Sequence, residues 1–260
     1  MTSPTSQNVR RGGKAFRQRG ISLFIVMIMV LLTTLFALWG ARSSLLNEKV
    51  TGNDSDYQRA FEAAQAMVRD AELDIMGTKA DGSPCVGTHC RPLALPANID
   101  IANNKVYFPQ SNSLKDPSGS DLDLLKAAMT TLPTAGPQCL AAICLDLSTT
   151  PEFWSNETQL KAMKKVGARY GEFTGANAAD IGNPLLKSTP TAAKAWYWVE
   201  PLLYQSGLDS VSQDYAPIGG GAVSPGKPNG FIFRITAVAE GLKDRTSPVV
   251  VQAIFIPQSN

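Results

Sequence analysis

The sequence is poor in histidine, since its 260 residues include only one, His89. A Ser-His-Asp triad needs a histidine as its base, and a histidine metal site needs partner ligands that this chain does not supply. We therefore expect no catalytic residue, no cofactor and no metal site. His89 is predicted to occupy an exposed loop.

Acidic residues are absent from residues 1–20, although this segment holds five basic ones: Arg10, Arg11, Lys14, Arg17 and Arg19. The whole chain has a formal charge of +2, so the remainder has a formal charge of −3. A slightly acidic remainder has no basic face for nucleic acid, and no nucleic-acid partner is predicted. The basic segment is typical of a cytoplasmic tail beside a membrane span.

Charged residues are also absent from Ile21 to Ala41. A helix of that length rises about 31 Å, which matches the hydrocarbon thickness of a bilayer. The apolar region of a cleaved secretory signal is shorter, at about 7 to 15 residues. Trp39 and Arg42 at the end of the run are typical of an anchor that reaches the membrane interface. The run is therefore predicted to span a membrane.

An amphipathic pattern follows the apolar run. Apolar or small residues recur in steps of four and three, at Tyr57, Phe61, Ala64, Val68, Ala71 and Ile75. Charged residues lie largely off this stripe, at Asp56, Arg59, Glu62, Arg69, Asp70 and Glu72. Gly77 is a stop signal, so the pattern predicts one helix from Ile21 to Met76. Two separate helices with a linker at residues 47–54 are the alternative, because Gly52 and Asn53 are poor helix formers.

The rest of the chain predicts an α+β head. Helices are expected at residues 120–132, capped by Ser120, and at 152–169. Aromatic and β-branched residues predict strands at 193–204, 230–241 and 247–257, the last two joined as a hairpin through 241–247. Residues 217–230 are expected to form a loop. Alternation along the first strand puts Trp196 and Trp198 on one face and Tyr197 on the other, as core residues.

The four cysteines fall into two local pairs, Cys85 with Cys90 and Cys139 with Cys144. Such pairs suit disulfides in an oxidising compartment, although four cysteines allow three pairings. Zinc is disfavoured because structural zinc sites space paired cysteines more tightly. A calcium site among the carboxylates of Asp116–Asp123 is a weaker alternative, since helix capping accounts for Asp121 and Asp123.

Two segments carry a resemblance to a known family. The basic leader "RQRG" and the apolar run after it resemble the N-terminus of a type IV prepilin. The segment "ARSSLLNEKVTGNDSDYQRAFEAAQAMVRDAE" resembles the PilX family of type IV pilus minor pilins, and "AWYWVEPL" and "FRITAVAEGLKDRTSPVVVQAIF" resemble its last strands. The resemblance covers about residues 14–76 and the last sixty or so.

The resemblance implies a processed and retained helix. Prepilin peptidase would cut between Gly20 and Ile21, and Ile21 would be N-methylated. Major pilins carry a glutamate at the fifth mature position, which is thought to neutralise the amino terminus of a neighbouring subunit. This chain has Ile25 there. A buried carboxylate needs a partner, so a subunit without a neighbour's amine has reason to lack it. We expect a position at or near the filament tip and a role in starting assembly.

The implied organisation has four parts: a leader (1–20), a membrane and filament-core helix half (21–41), an amphipathic half (42–77) and a periplasmic head (78–260). Expected partners are other minor pilins and the major pilin through the N-terminal helices, the prepilin peptidase and the inner membrane. After assembly the protein would lie in the extracellular filament. Two alternatives stay open: a tip pseudopilin of a type II secretion system, and an unprocessed, membrane-anchored periplasmic adhesin or enzyme.

Overall fold

A computed structural model describes most of the chain. The described residues are 21–92, 100, 106–110, 121–133, 136–147, 152–176, 182–187, 189, 192–204, 215–217, 230–243 and 247–257. The chain divides into two compact units, with the boundary between Gly52 and Asn53. The leader with Gly20, the cap Ser120, and Asp116 of the possible calcium cluster lie outside the described residues. So do most of the predicted loop at 217–230 and the turn at 244–246.

The first helix, α1, runs from Ile21 to Met76. The predicted helix is therefore confirmed, and the alternative of two helices with a linker is wrong. Gly77 ends α1 in the left-handed conformation (φ 64°), where its amide donates to the Asp74 carbonyl. This is the usual role of a glycine just past a helix. The first part of α1, from Ile21 to Ala41, has no charged side chains. The alanines in its last part have a high intrinsic helix propensity.

The head contains a six-stranded, mostly antiparallel sheet. Its strands are β1 (Cys139–Leu140), β2 (Ile143–Cys144), β3 (Ala195–Tyr204), β4 (Tyr215–Pro217), β5 (Gly230–Ala239) and β6 (Val249–Phe255). The order is β1-β2-β3-β5-β6, and the short β4 pairs with β3. Of the strand pairs within the described residues, β2–β3 alone is parallel. The three predicted late strands and their antiparallel order are confirmed, whereas β1, β2 and β4 were missed because each has only two or three residues.

Both faces of the sheet are covered. One face packs on the residues of α1 beyond Asn53 and on α2 (Asp121–Met129), with Tyr197, Ile235 and Ala237 fully buried. The other face packs on α3 (Glu157–Lys164), with Trp196, Trp198 and Val238 in that cluster. The predicted division of Tyr197 from the two tryptophans is thus confirmed. The architecture is the expected α+β, pilin-like one, with a second layer behind the sheet.

The helix predicted over 152–169 is shorter than expected. A 3-10 turn covers Phe153–Ser155, and α3 begins only after Asn156, whose side chain accepts from the amides of Thr158 and Gln159. The helix ends because Trp198 needs the space beyond it. The indole donates to the Met163 carbonyl at 3.1 Å, and a Cβ on Gly167 would lie 2.7 Å from the Trp198 ring. Likewise α2 ends at Met129, three residues before the predicted end.

Candidate functional site

The N-terminal unit exposes an apolar helix. From Ile21 to Ala41 every residue is exposed, and an 18-residue window within α1 has a mean hydropathy of 2.8 with none of it buried. Its polar side chains are satisfied locally, since the hydroxyls of Thr33 and Thr34 donate to the carbonyls of Val30 and Leu31 at 2.9 Å. By length and composition this helix fits membrane anchoring.

Position 25 carries no charge in this surface. The Ile25 side chain is 51% exposed, and of the residues three and four positions away along the helix only Ser22 is polar. The first basic side chain of α1 is Arg42, so an acid at position 25 would have no cationic side chain near it within the described part of the N-terminal unit. The helix therefore offers apolar contact along this stretch and no ionic contact.

The buried face of α1 in the head differs from the predicted stripe by one residue. Its centre follows steps of four and three through Asp56, Ala60, Ala63, Met67, Asp70 and Asp74. One residue corresponds to a rotation of about 100°. Ala64, Ala71 and Ile75 of the predicted stripe are buried, but Tyr57 is 52% exposed and Phe61 lies at the surface. The expectation that Asp56 and Asp70 lie off the buried face was therefore wrong.

Asp74 forms the most buried ion pair among the described residues of the head. Arg91 Nε lies 2.9 Å from Asp74 Oδ1, and Nη2 lies 2.5 Å from Oδ2, with side-chain exposures of 4% and 0%. The Tyr197 hydroxyl donates to Oδ2 at 2.8 Å, and burial raises the pKa of Tyr197 well above its usual value. The Arg91 guanidinium also lies over the rings of Phe108 and Phe173, at 4.5 and 4.0 Å. These side chains connect α1, the sheet and the segments that carry Arg91, Phe108 and Phe173.

Asp70, one turn before Asp74, binds a second loop. Its carboxylate accepts from the Gly171 amide at 2.8 Å and the Thr174 hydroxyl at 2.5 Å. Burial raises its pKa to about 6 despite these hydrogen bonds. Gly171 is required there, because φ is +70° and a Cβ would lie 2.0 Å from the Ala176 carbonyl oxygen. The helix therefore fixes the conformation of the 171–176 loop.

Asp56 binds the segment after β5. It accepts from the amides of Leu242 and Lys243 at 3.0 and 3.2 Å. Although burial would raise the pKa of Asp56, these amides hold it below its usual value. Sequence reasoning missed all three buried aspartates as partners of the head. The signal was available, since they share the four-and-three spacing with Ala60, Ala63 and Met67, but polar residues were assigned to the solvent side.

The structure forms both local disulfides, Cys85–Cys90 and Cys139–Cys144. The first immediately precedes Arg91 and closes a loop in which His89 is exposed. The second cross-links β1 and β2, and both of its cysteines are buried. The two bridges thus stabilise the loop that supplies Arg91 and one edge of the sheet.

The remaining candidates for chemistry are not brought together. Among the described residues no group of three or more His, Cys, Asp or Glu side chains is placed to hold a metal ion. Of the possible calcium ligands, Asp121 is buried and accepts from the Gln110 amide at 3.0 Å. A cavity of about 350 Å³ lies on the α3 face of the sheet, lined by Leu147, Glu152, Phe153, Trp154, Arg234, Thr236 and Gln252. It contains none of the predicted site residues.

Comparison with known proteins identifies the N-terminus. Residues 19–69 match the family model described as "PilX N-terminal". The match includes Gly20, the whole apolar run and most of the helix segment that carries Asp56. No curated protein and no solved structure is similar enough to the chain to be matched. Residues 19–69 thus have the sequence of a PilX-family type IV pilin N-terminus.

Proposed function

We propose that this protein is a minor pilin that helps to initiate type IV pilus assembly, at or near the filament tip. The PilX N-terminal match supports a minor pilin in general. The observation that carries the finer proposal is Ile25, an apolar residue at the position where major pilins carry an acid. A tip subunit has no neighbour ahead of it whose amino terminus needs a carboxylate.

Maturation would follow the prepilin route. The peptidase cuts between Gly20 and Ile21, Ile21 is N-methylated, and the helix from Ile21 is retained as the anchor. Mass spectrometry of the protein purified from membranes tests this, with N-methyl-Ile21 as the expected first residue. Gly20→Val should block the cut because its branched side chain restricts the backbone that glycine leaves free, whereas Gly13→Val in the same leader should not. A mature protein that begins at Met1 would contradict the proposal.

Assembly would rest on the apolar half of α1. The helices leave the lipid and pack against those of other minor pilins and the major pilin, while the heads remain on the periplasmic side and then outside the cell. A strain without this protein should form fewer filaments of ordinary length, since initiation and not elongation is impaired. Immunogold labelling of sheared filaments should place the protein at filament ends.

Ile25→Glu tests the tip position directly. At the tip the new carboxylate meets no amine and must be buried unpaired, so filament number should fall or at best stay unchanged. Ile28→Glu, which puts the same charge one turn later, is the matched control for a general cost of charge in this helix. Better incorporation of Ile25→Glu along filament shafts would contradict a tip position.

A tip pseudopilin of a type II secretion system is the second candidate, because that subunit also lacks the acid. The two candidates predict different locations. Sheared surface filaments should contain a pilus subunit and lack a secretion pseudopilin, whose loss would instead block protein export.

A further inference from the structure

The outer edge of β6 is a long row of unpaired backbone groups. The Glu240 amide donates to the Lys194 carbonyl, so even-numbered residues of β5 bond to β3. Odd-numbered residues of β5 therefore bond to their partners in β6, which are Val249, Val251, Ala253 and Phe255. The N–H and C=O groups of Val250, Gln252 and Ile254 must point the other way. Among the described residues no strand lies beside β6 on that side.

The two ends of the sheet differ in how they are protected. The β1 edge has two residues, and a disulfide closes it onto β2. The β6 edge has seven residues, VVVQAIF, without a charge, a proline or a glycine. Edge strands normally carry lysine, proline or a bulge that discourages pairing with another chain. Here the only prolines, Pro248 and Pro257, flank the strand and limit any pairing to the residues between them.

Apart from Gln252, the side chains of β6 beside the free edge are apolar on both faces. Ile254 and Ile256 are 50% and 62% exposed, while Val251 and Phe255 pack partly on the α1 face. A strand added next to β6 would cover these side chains and satisfy the six backbone groups together. We infer that β6 receives an extended segment of a different protein, which adds as a further strand to this sheet.

A second copy of this chain fits the edge less well. Antiparallel pairing of two β6 strands relates the copies by a two-fold axis perpendicular to the sheet. That axis reverses every direction in the sheet plane, including that of the helix segment from Asn53 to Met76, which packs across the sheet. The N-terminal ends of the two segments would lead in opposite directions, whereas anchoring in one membrane requires the same direction.

The edge also specifies the chemistry of the added segment. Opposite Val250 and Ile254 it should carry β-branched or aromatic residues, which pair best with such neighbours. The residue of the added segment opposite Gln252 lies beside the cavity of about 350 Å³, which is lined in part by Gln252 and Arg234. Gln252 is polar and exposed at this edge, so a polar side chain suits the place opposite it, between two apolar ones.

Site-specific photocrosslinking in cells that make the full chain tests the inference. Benzoylphenylalanine is placed at position 252, 254 or 256 in turn, and the crosslinked residues are mapped by mass spectrometry. Strand addition predicts that moving the probe by two residues moves the crosslink by two residues along one segment of one partner protein. A probe at Leu242, which is 47% exposed and lies outside β6, should not give that pattern.

Two variants separate strand pairing from ordinary contact. Gln252→Pro removes an amide that points away from β5, and it also removes the side-chain hydrogen bond to the Thr236 hydroxyl (3.1 Å), which Gln252→Ala removes as well. Both variants should keep both disulfides and have similar melting temperatures, while crosslinking from position 254 falls about fivefold or more in Gln252→Pro alone. Ile254→Lys leaves the backbone intact and should lower crosslinking from position 256. Crosslinks at scattered positions, crosslinks between two copies of this chain, or a yield that Gln252→Pro leaves unchanged in a folded head would each overturn the inference.

Discussion

Between Ile21 and Ala41 the first helix has no charged side chain, whereas between Asp56 and Asp74 it buries three carboxylates against its own head. The difference follows from where partners are available. In the head the same chain supplies two amides for Asp56, an amide and a hydroxyl for Asp70, and a guanidinium and a phenol for Asp74. In the apolar half, a carboxylate would depend on another molecule for its partner.

This difference gives a physical reason for an apolar residue at position 25. A buried acid is stable where a partner is available, as it is inside this head, and an apolar residue such as Ile25 is the more stable choice where the chain supplies none. The three aspartates then stabilise the fold of the head, and the apolar half is left free to assemble. Substitutions in the two halves should accordingly affect stability and assembly separately.

The largest expected effect on stability is that of Asp74→Ala. It leaves the Arg91 guanidinium buried without its carboxylate, and removing one partner of a buried pair costs about 3–5 kcal/mol. Urea denaturation of the full chain in detergent, followed by tryptophan fluorescence, measures the free energy of unfolding. Asp54→Ala, an exposed aspartate of the same helix, is the control and should change it by less than about 0.5 kcal/mol. Equal losses in both variants would refute the role assigned to Asp74.

The second effect is a pH dependence due to Asp70. Its pKa is about 6 in the folded head and 3.8 as the reference value, so the folded state binds the proton more tightly. Stability should therefore fall by about 3 kcal/mol as the pH rises from about 4 to above 6, at 1.36 kcal/mol per unit. Denaturation at a series of pH values should show this fall in the stability of the native protein. In Asp70→Asn the part of the fall that is due to Asp70 should be absent.

Thr174→Val sharpens the same measurement. The Thr174 hydroxyl stabilises the charged form of Asp70, so its loss should raise the pKa of Asp70 and extend the fall to higher pH. If Asp70→Asn kept the full slope between pH 4 and 6, the titrating group would be another one.

Much of the fold was accessible from the sequence because its signals are strong and local. The absence of charge from Ile21 to Ala41, the glycine after Met76 and the aromatic, β-branched segments predicted α1 and the three long strands. The division of Trp196 and Trp198 from Tyr197 followed from strand alternation alone. These features depend on residues close in the chain, so no tertiary information was needed.

The long-range contacts were not accessible. Asp74 and Tyr197 are 123 positions apart, and Asp70 and Thr174 are 104 apart, so nothing local marks them as partners. For the same reason the end of α3 was misplaced, since Trp198 determines where it stops. The Cys139–Cys144 hairpin was too short to show a strand pattern. A sequence pattern places polar residues on the solvent side when their partners are distant in sequence. For this reason the predicted buried face of α1 was displaced by one residue.

The smallest of the three effects tests that displacement. Ala63 is fully buried under the sheet, so Ala63→Leu should overpack the interface and cost about 1–3 kcal/mol, measured by the same denaturation. Phe61→Ala removes a larger side chain from the surface and should cost less, although the predicted stripe would have made Phe61 a core residue. The order of the two costs distinguishes the two faces of α1. If Phe61→Ala were the more damaging substitution, the helix would face the sheet through Tyr57, Phe61 and Val68, and the aspartates would not be buried as described.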